Sequence, residues 1–220
     1  MVPSLRFTPI LPVVALLALG SPSAGHSQEA EARACVPGGT GPSSGPLARL
    51  TQPARAPDEL LALVEIPAGG SVKYEIHPGS GRMEVDRFLS MPVAYPANYG
   101  ILPCTLAGDG DALDVMILTR EPLAPGTLIR VRPLGLLRML DGGEEDHKLL
   151  AVPLTSVDPG FAGVRELDHL PQETLARIEA FFRVYKELPD PEVEVVVGPW
   201  EGLEAATAAV RAAMDRAEMP

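Results

Sequence analysis

From Leu60 onward the chain is cut by Gly/Pro turns into short apolar or alternating runs, and this punctuation constrains the fold more than any other feature. Leu60 to Ile66 is apolar and β-prone until Pro67-Ala68-Gly69-Gly70 breaks it. Val72-Lys73-Tyr74-Glu75-Ile76 alternates strictly, which puts Val72, Tyr74 and Ile76 on one face and Lys73 and Glu75 on the other. Met83 to Leu89, Val115 to Thr119, Leu128 to Pro133, Gly135 to Leu140 and Leu149 to Leu154 read the same way. So many short strands separated by turns predict a small closed or nearly closed antiparallel β-barrel of the OB-like kind. Past residue 170 the period changes. Leu170, Leu175, Ile178, Phe181, Phe182 and Tyr185 recur at helical spacing behind Pro171, and the helix should end near Leu188-Pro189. A strand at Val193 to Val197 and a second amphipathic helix from Gly202 to Glu218 complete a mainly β protein with helices flanking the outside of the barrel.

Within this frame one stretch is costly. Asp109-Gly110-Asp111-Ala112-Leu113-Asp114 places three carboxylates within six residues, with no Lys or Arg among them, at the mouth of an apolar run. Two like charges ~4 Å apart repel by ~4 kcal/mol at an effective dielectric of ~20, so the cluster calls for a counter-charge. A hard dication that takes oxygen ligands would supply it, whereas a solvated acidic turn would need none. The spacing is wrong for an EF-hand, which wants Gly where Asp114 sits and Glu where Arg120 sits. A second acidic loop runs from Asp141 to Lys148. Cationic residues at strand ends and loops, Lys73, Arg87, Lys148 and Lys186, complement the carboxylates. Carboxylates hold hard metals and Lys, Arg and Tyr hold phosphate oxygens, so both sets together suit metal-dependent phosphoryl transfer. The four histidines (His26, His77, His147, His169) are scattered and are assigned no role.

The amino terminus reads as an address. Arg6 is followed by an uncharged apolar stretch, Thr8 to Gly20, and a small, polar Ser21 to Ser27. This is the layout of a secretory signal peptide over residues 1–27, too short for a membrane span of ~20 apolar residues. Residues 28–57, rich in Pro, Gly, Ala and Ser, read as a flexible tether, and the folded domain is expected over 58–220. The formal charge of −11 becomes −12 without residues 1–27, which hold Arg6 and no acid. Such a chain is no electrostatic match for nucleic acid or an anionic membrane. Export would permit a bond between the two cysteines, Cys35 and Cys104. Because Cys35 lies in a segment with no reason to be held, two free thiols are the expectation.

The blocks Glu65-Ile66-Pro67-Ala68, Lys73-Tyr74-Glu75, Val85-Asp86-Arg87-Phe88, Tyr95-Pro96-Ala97-Asn98-Tyr99-Gly100, Asp109 to Val115 and Phe181 to Lys186 occur in one order. In that order they resemble the soluble, Mg²⁺-dependent inorganic pyrophosphatases of the first family, over roughly residues 60 to 215. By position, the resemblance makes Asp109, Asp114, Asp141 and Asp146 metal ligands and Asp111 the general base, with Tyr99 near the nucleophile. Lys73, Arg87, Lys148, Tyr185 and Lys186 would clamp the phosphoryl groups, with Tyr95 in support and Glu65 and Glu75 acting nearer the rim. Three departures stand out: Ala112 replaces the usual Pro, Gly142 stands where a Glu is expected, and the segment from Glu65 to Lys73 is one residue short.

The resemblance implies hydrolysis of pyrophosphate to two phosphates by a metal-activated water, with Mg²⁺ (or Mn²⁺ or Co²⁺) as cofactor, in a homo-oligomeric enzyme, and the amino-terminal layout implies that the enzyme is exported. No nucleic-acid partner and no stable membrane insertion are expected. The competing reading is a phosphate- or metal-binding, or oligonucleotide- or sugar-binding, barrel without turnover.

Overall fold

The computed structural model describes residues 33–34, 50–77, 80–189 and 194–218. The expected signal peptide lies outside them, as does most of the expected tether. Along the chain run β1 (Arg33–Ala34), β2 (Thr51–Gln52), β3 (Leu60–Ile66), β4 (Val72–Ile76), β5 (Met83–Phe88), β6 (Asn98–Ile101) and β7 (Asp114–Ile117). After these come β8 (Leu128–Asp141), β9 (Glu144–Glu145), β10 (Lys148–Pro153), α1 (Gln172–Val184), β11 (Val195–Glu201) and α2 (Leu203–Glu218).

Five strands, in the order β10-β7-β6-β3-β8, form a curled sheet that closes on itself because β10 also pairs with β8. This is the expected OB-like barrel, with one correction: β7 and β10 pair in parallel, Asp114 beside Lys148. They can do so because β8 and its turns form the crossover that parallel neighbours require. The two strands read from sequence over 128–140 are one, β8. It bends at a bulge between its Pro133 and Gly135 pairings with β10, then runs on to pair with β11. Pro133 cannot donate to a ladder, which is why it looked like a strand end. β6 was not foreseen as a strand. Its short run behind Pro96 is held by Asn98, fully buried, whose Oδ1 accepts from Ala68 N (3.1 Å) and Leu123 N (2.8 Å) and whose Nδ2 donates to Thr119 Oγ1 (2.6 Å). Gly100 permits the close β3–β6 approach, since a Cβ there would lie 1.9 Å from Leu63 O.

After their first residues, Asp114 and Lys148, strands β7 and β10 are continuously apolar because both sheet faces are covered. On one face Val115, Ile117, Leu149 and Ala151 pack with Ala206, Val210, Ala213 and Met214 of α2. On the other, Met116 and Leu150 pack with Ile178, Phe181 and Phe182 of α1 and with Tyr185 just beyond it. Alternation along each strand thus assigns one helix to each face. Glu173 in the first turn of α1 and Arg183 in its last oppose the helix dipole, as do Glu204 and Arg216 in α2.

The fold reaches further toward the amino terminus than Asp58. Leu50 to Pro57 are ordered against the barrel, β2 pairs with β1, and Gln52 is fully buried. Cys104 is disulfide-bonded, not a free thiol. The expectation of free thiols weighed only local composition, which carries no information about what lies across from a loop.

Candidate active site

One cavity of about 620 Å³ opens at the mouth of β6 and β7, and all fourteen residues singled out in the sequence line it. The β6–β7 loop brings Asp109 and Asp111, and the start of β7 brings Asp114. Lys148 opens β10, whose parallel register sets it beside Asp114, and Asp146 precedes it by two residues. The end of β8 contributes Asp141, and the turn after α1 contributes Tyr185 and Lys186. The β4–β5 hairpin supplies Lys73, Glu75 and Arg87. Gly110, with φ 89°, makes the sharp turn between Asp109 and Asp111, and Asp111 N donates to Asp109 Oδ1 at 3.1 Å.

Sequence reasoning missed two acids. Glu144, on the cavity wall, pairs across the β8–β9 hairpin with Asp141 and brings a carboxylate close to where Gly142 lacks one. Asp86 lies behind the wall. Lys73 and Arg87 face each other across the β4–β5 hairpin, an unfavourable like-charge pair. Asp86 Oδ2 relieves it, 3.3 Å from Lys73 Nζ and 2.6 Å from Arg87 Nη1. The signal for Asp86 was strand register, since it neighbours Arg87 in sequence and meets Lys73 only through the pairing.

Eight carboxylates on the wall (Glu65, Glu75, Asp109, Asp111, Asp114, Asp141, Glu144, Asp146) face four cations (Lys73, Arg87, Lys148, Lys186). Each of these cations is engaged by a carboxylate. Lys148, 2% exposed, sits with Nζ 2.5 Å from Asp114 Oδ2 and also contacts Asp146; Lys186 pairs with Asp141, and Lys73 with Glu75. Burial opposes the charge of Lys148, but Asp114 and Asp146 outweigh it and raise its pKa. Rings form the floor: Lys148 Nζ lies 5.7 Å from the Tyr99 ring centre and 5.8 Å from that of Phe182, within cation–π range.

The excess of acid shows in the titration of the wall. Burial, then the Asp114 charge, pushes Glu65 up from 4.5 to about 8. Partial desolvation, then Asp109 and Asp114, raises Asp111. Burial holds the hydroxyls of Tyr95, Tyr99 and Tyr185 above their ordinary value, so at neutral pH they are donors.

Among the described residues, no three acidic, His or Cys side chains are gathered tightly enough to enclose a cation, and the lysines stand between the carboxylates. The donor set still fits a hard dication, because the wall carries carboxylate oxygens and no thiol or imidazole.

A family model described as inorganic pyrophosphatase matches residues 62–218. The inorganic pyrophosphatase of Aquifex pyrophilus is 45% identical over 150 residues, 68% of this chain and 84% of its own length. That of Sulfolobus acidocaldarius is 42% identical over 168 residues, 76% of this chain and 96% of its own. The structure of an inorganic pyrophosphatase from Coxiella burnetii superposes with a TM-score of 0.71 at 41% identity, covering 73% of this chain and 96% of that one. With this coverage and identity, on a barrel whose cavity gathers every block of the resemblance, the chain belongs to the inorganic pyrophosphatase family.

Proposed function

We propose that this protein hydrolyses pyrophosphate to two phosphates at the cavity around Asp111, with a divalent cation, Mg²⁺ by preference, held by Asp109, Asp114, Asp141 and Asp146. The observation that carries the reading is the wall itself: eight carboxylates and four cations on one cavity, each cation already engaged by an acid. Binding of dication and substrate then amounts to an exchange of partners. Asp109, Asp114, Asp141 and Asp146 would hold the dication, which would leave Lys73, Arg87, Lys148 and Lys186 to hold phosphate oxygens. A dication bound there supplies charge that acidifies water and neutralises phosphate oxygens.

The remaining steps belong to the chain's own groups. Asp111, raised in pKa yet open to solvent, accepts a proton from the attacking water as the oxygen bonds to one phosphorus. The bridging P–O bond breaks and the second phosphate leaves against Lys and Arg charges, where positioning and electrostatics carry most of the rate. The Tyr99 hydroxyl, a donor throughout, fixes oxygens at the cavity floor.

A binding module without turnover would need an open face, and for an oligonucleotide an exposed stacking platform. The aromatic rings here, Tyr95, Tyr99 and Tyr185, lie buried beneath the charged wall. Phosphate release from pyrophosphate, measured with and without Mg²⁺ on wild type and Asp111→Asn, tests the reading. No Mg²⁺-dependent release, or release unaffected by the substitution, would refute it.

We infer also that the enzyme is exported. The layout of residues 1–27 supports this, and so does the bonded state of Cys104, since structural disulfides persist in oxidising compartments.

A further inference from the structure

The loop that carries Asp109 and Asp111 is fastened at its root by parts of the chain remote in sequence. Gln52, fully buried, donates from Nε2 to Pro103 O (2.7 Å) and Leu61 O (3.0 Å), and its Oε1 accepts from Leu61 N (2.9 Å). It therefore ties the loop root to β3. The next loop residue, Cys104, is disulfide-bonded and holds φ 62°, a left-handed conformation that a non-glycine residue adopts only when its surroundings impose it. The sequence has one other cysteine, Cys35, which follows β1 directly and lies outside the described residues. β1 in turn pairs with β2, where Gln52 sits. Thr105, also buried, donates from Oγ1 to Leu102 O (2.6 Å) and accepts from Leu113 N (2.8 Å), which closes the loop across its base. Beyond it, Leu106 N donates to Ala213 O of α2 at 2.8 Å.

This bracing runs along the edge of the core, where Leu102, Leu113 and Ala213 are buried and Ala56 and Ala107 pack against them. Its effect falls on the loop between Cys104 and Asp114, where three carboxylates repel one another. Left to itself, such a loop would spread its charges apart, and ordering it would cost conformational entropy at the moment a dication binds. Gln52 comes from a segment ahead of residue 62, where the family match begins.

We propose that Gln52 and the Cys104 disulfide are positioning residues for the carboxylate loop, holding Asp109 and Asp111 against Asp114 so that breaking the disulfide weakens dication binding. The proposal rests on the reading of the cavity as a dication site. A dithiol such as dithiothreitol delivers two electrons and two protons to the disulfide, giving thiols at Cys104 and its partner while the reductant closes to its own cyclic disulfide. A consequence for an exported enzyme is that the chain gains its full metal affinity only after oxidation, outside the reducing cytoplasm.

The test is calorimetric titration of the mature, full chain with Mg²⁺ alone, for the oxidised wild type, the dithiothreitol-reduced wild type, Cys35→Ser and Gln52→Ala. Each altered form should bind Mg²⁺ about tenfold more weakly, the scale on which loss of a ligand's supporting contacts acts. The KM for pyrophosphate at saturating Mg²⁺ should stay unchanged, a split that general loss of folding would not give. If Gln52→Ala does not fold, the reduced form and Cys35→Ser decide, because both leave the Gln52 hydrogen bonds in place. Equal Mg²⁺ affinity in the oxidised, reduced and Cys35→Ser forms overturns the brace alone. An oxidised wild type that takes up no Mg²⁺ overturns the reading of the cavity, and the brace with it.

Discussion

Lys148 Nζ lies 2.5 Å from Asp114 Oδ2 in a side chain that is only 2% exposed, so the acid at the head of β7 and the lysine at the head of β10 form a buried ion pair. Their parallel register sets the two residues side by side. Lys148→Met would remove the sole buried cation from Asp114 and Asp146. The metal-free protein should lose about 3–5 kcal/mol in urea unfolding, the usual cost of orphaning one member of a buried pair. Added Mg²⁺ should restore part of that stability but not the turnover. Asp114→Asn should leave less than about a tenth of wild-type activity at saturating Mg²⁺, because an amide cannot offset cation charge.

Glu65 gives a pH test whose sign is fixed by its environment. Its folded pKa of about 8 lies above the ordinary 4.5, so between these values the folded chain binds a proton that the unfolded chain has released. Below 4.5 both forms are protonated and the group costs nothing. As pH rises toward 8, stability falls with a slope of at most about 1.4 kcal/mol per pH unit. Metal-free Glu65→Gln should therefore match the wild type near pH 4 and exceed it increasingly up to pH 8 in thermal melts. A stability gap that narrowed over that range would contradict the assignment of Glu65 as a buried, proton-holding acid.

Truncation tests how far the fold extends. A chain beginning at Leu50 keeps Gln52, whereas one beginning at Asp58 leaves Pro103 O and both Leu61 backbone groups without their partner. Each unsatisfied buried group costs about 1–3 kcal/mol, so the shorter chain should unfold at distinctly lower urea concentration. Coincident unfolding curves would return the boundary to Asp58.

Export is tested at the amino terminus. The mature chain in its native cell should begin between Gly25 and Gln28 and fractionate outside the cytoplasm. Intact-mass measurement that finds Met1 or Val2 retained in cytosolic protein would refute it.

The sequence by itself determined the elements whose pattern is local and the site blocks that ride on them. β3 and β4 begin and end where their apolar run and alternation do, and both helices follow their 3.6-residue spacing between Pro and Gly signals. The fourteen site residues that line the cavity were legible through the family resemblance that the ordered blocks carry, since taken singly the Lys, Arg and Tyr among them read as surface charges or core rings. What only the tertiary structure decided are the relationships between residues that meet across the fold. These are the parallel β7–β10 register that buries Lys148 against Asp114, the cross-strand meeting of Lys73 and Arg87 over Asp86, and the seat of Glu144 near Asp141. Gln52 and Cys104 belong with them. A Gln in a Pro/Ala-rich stretch reads as solvated until a carbonyl 51 positions away is brought to 2.7 Å from its amide. Periodicity records which face of an element is apolar, but burial and charge pairing depend on what packs opposite, and that is set only when the barrel closes.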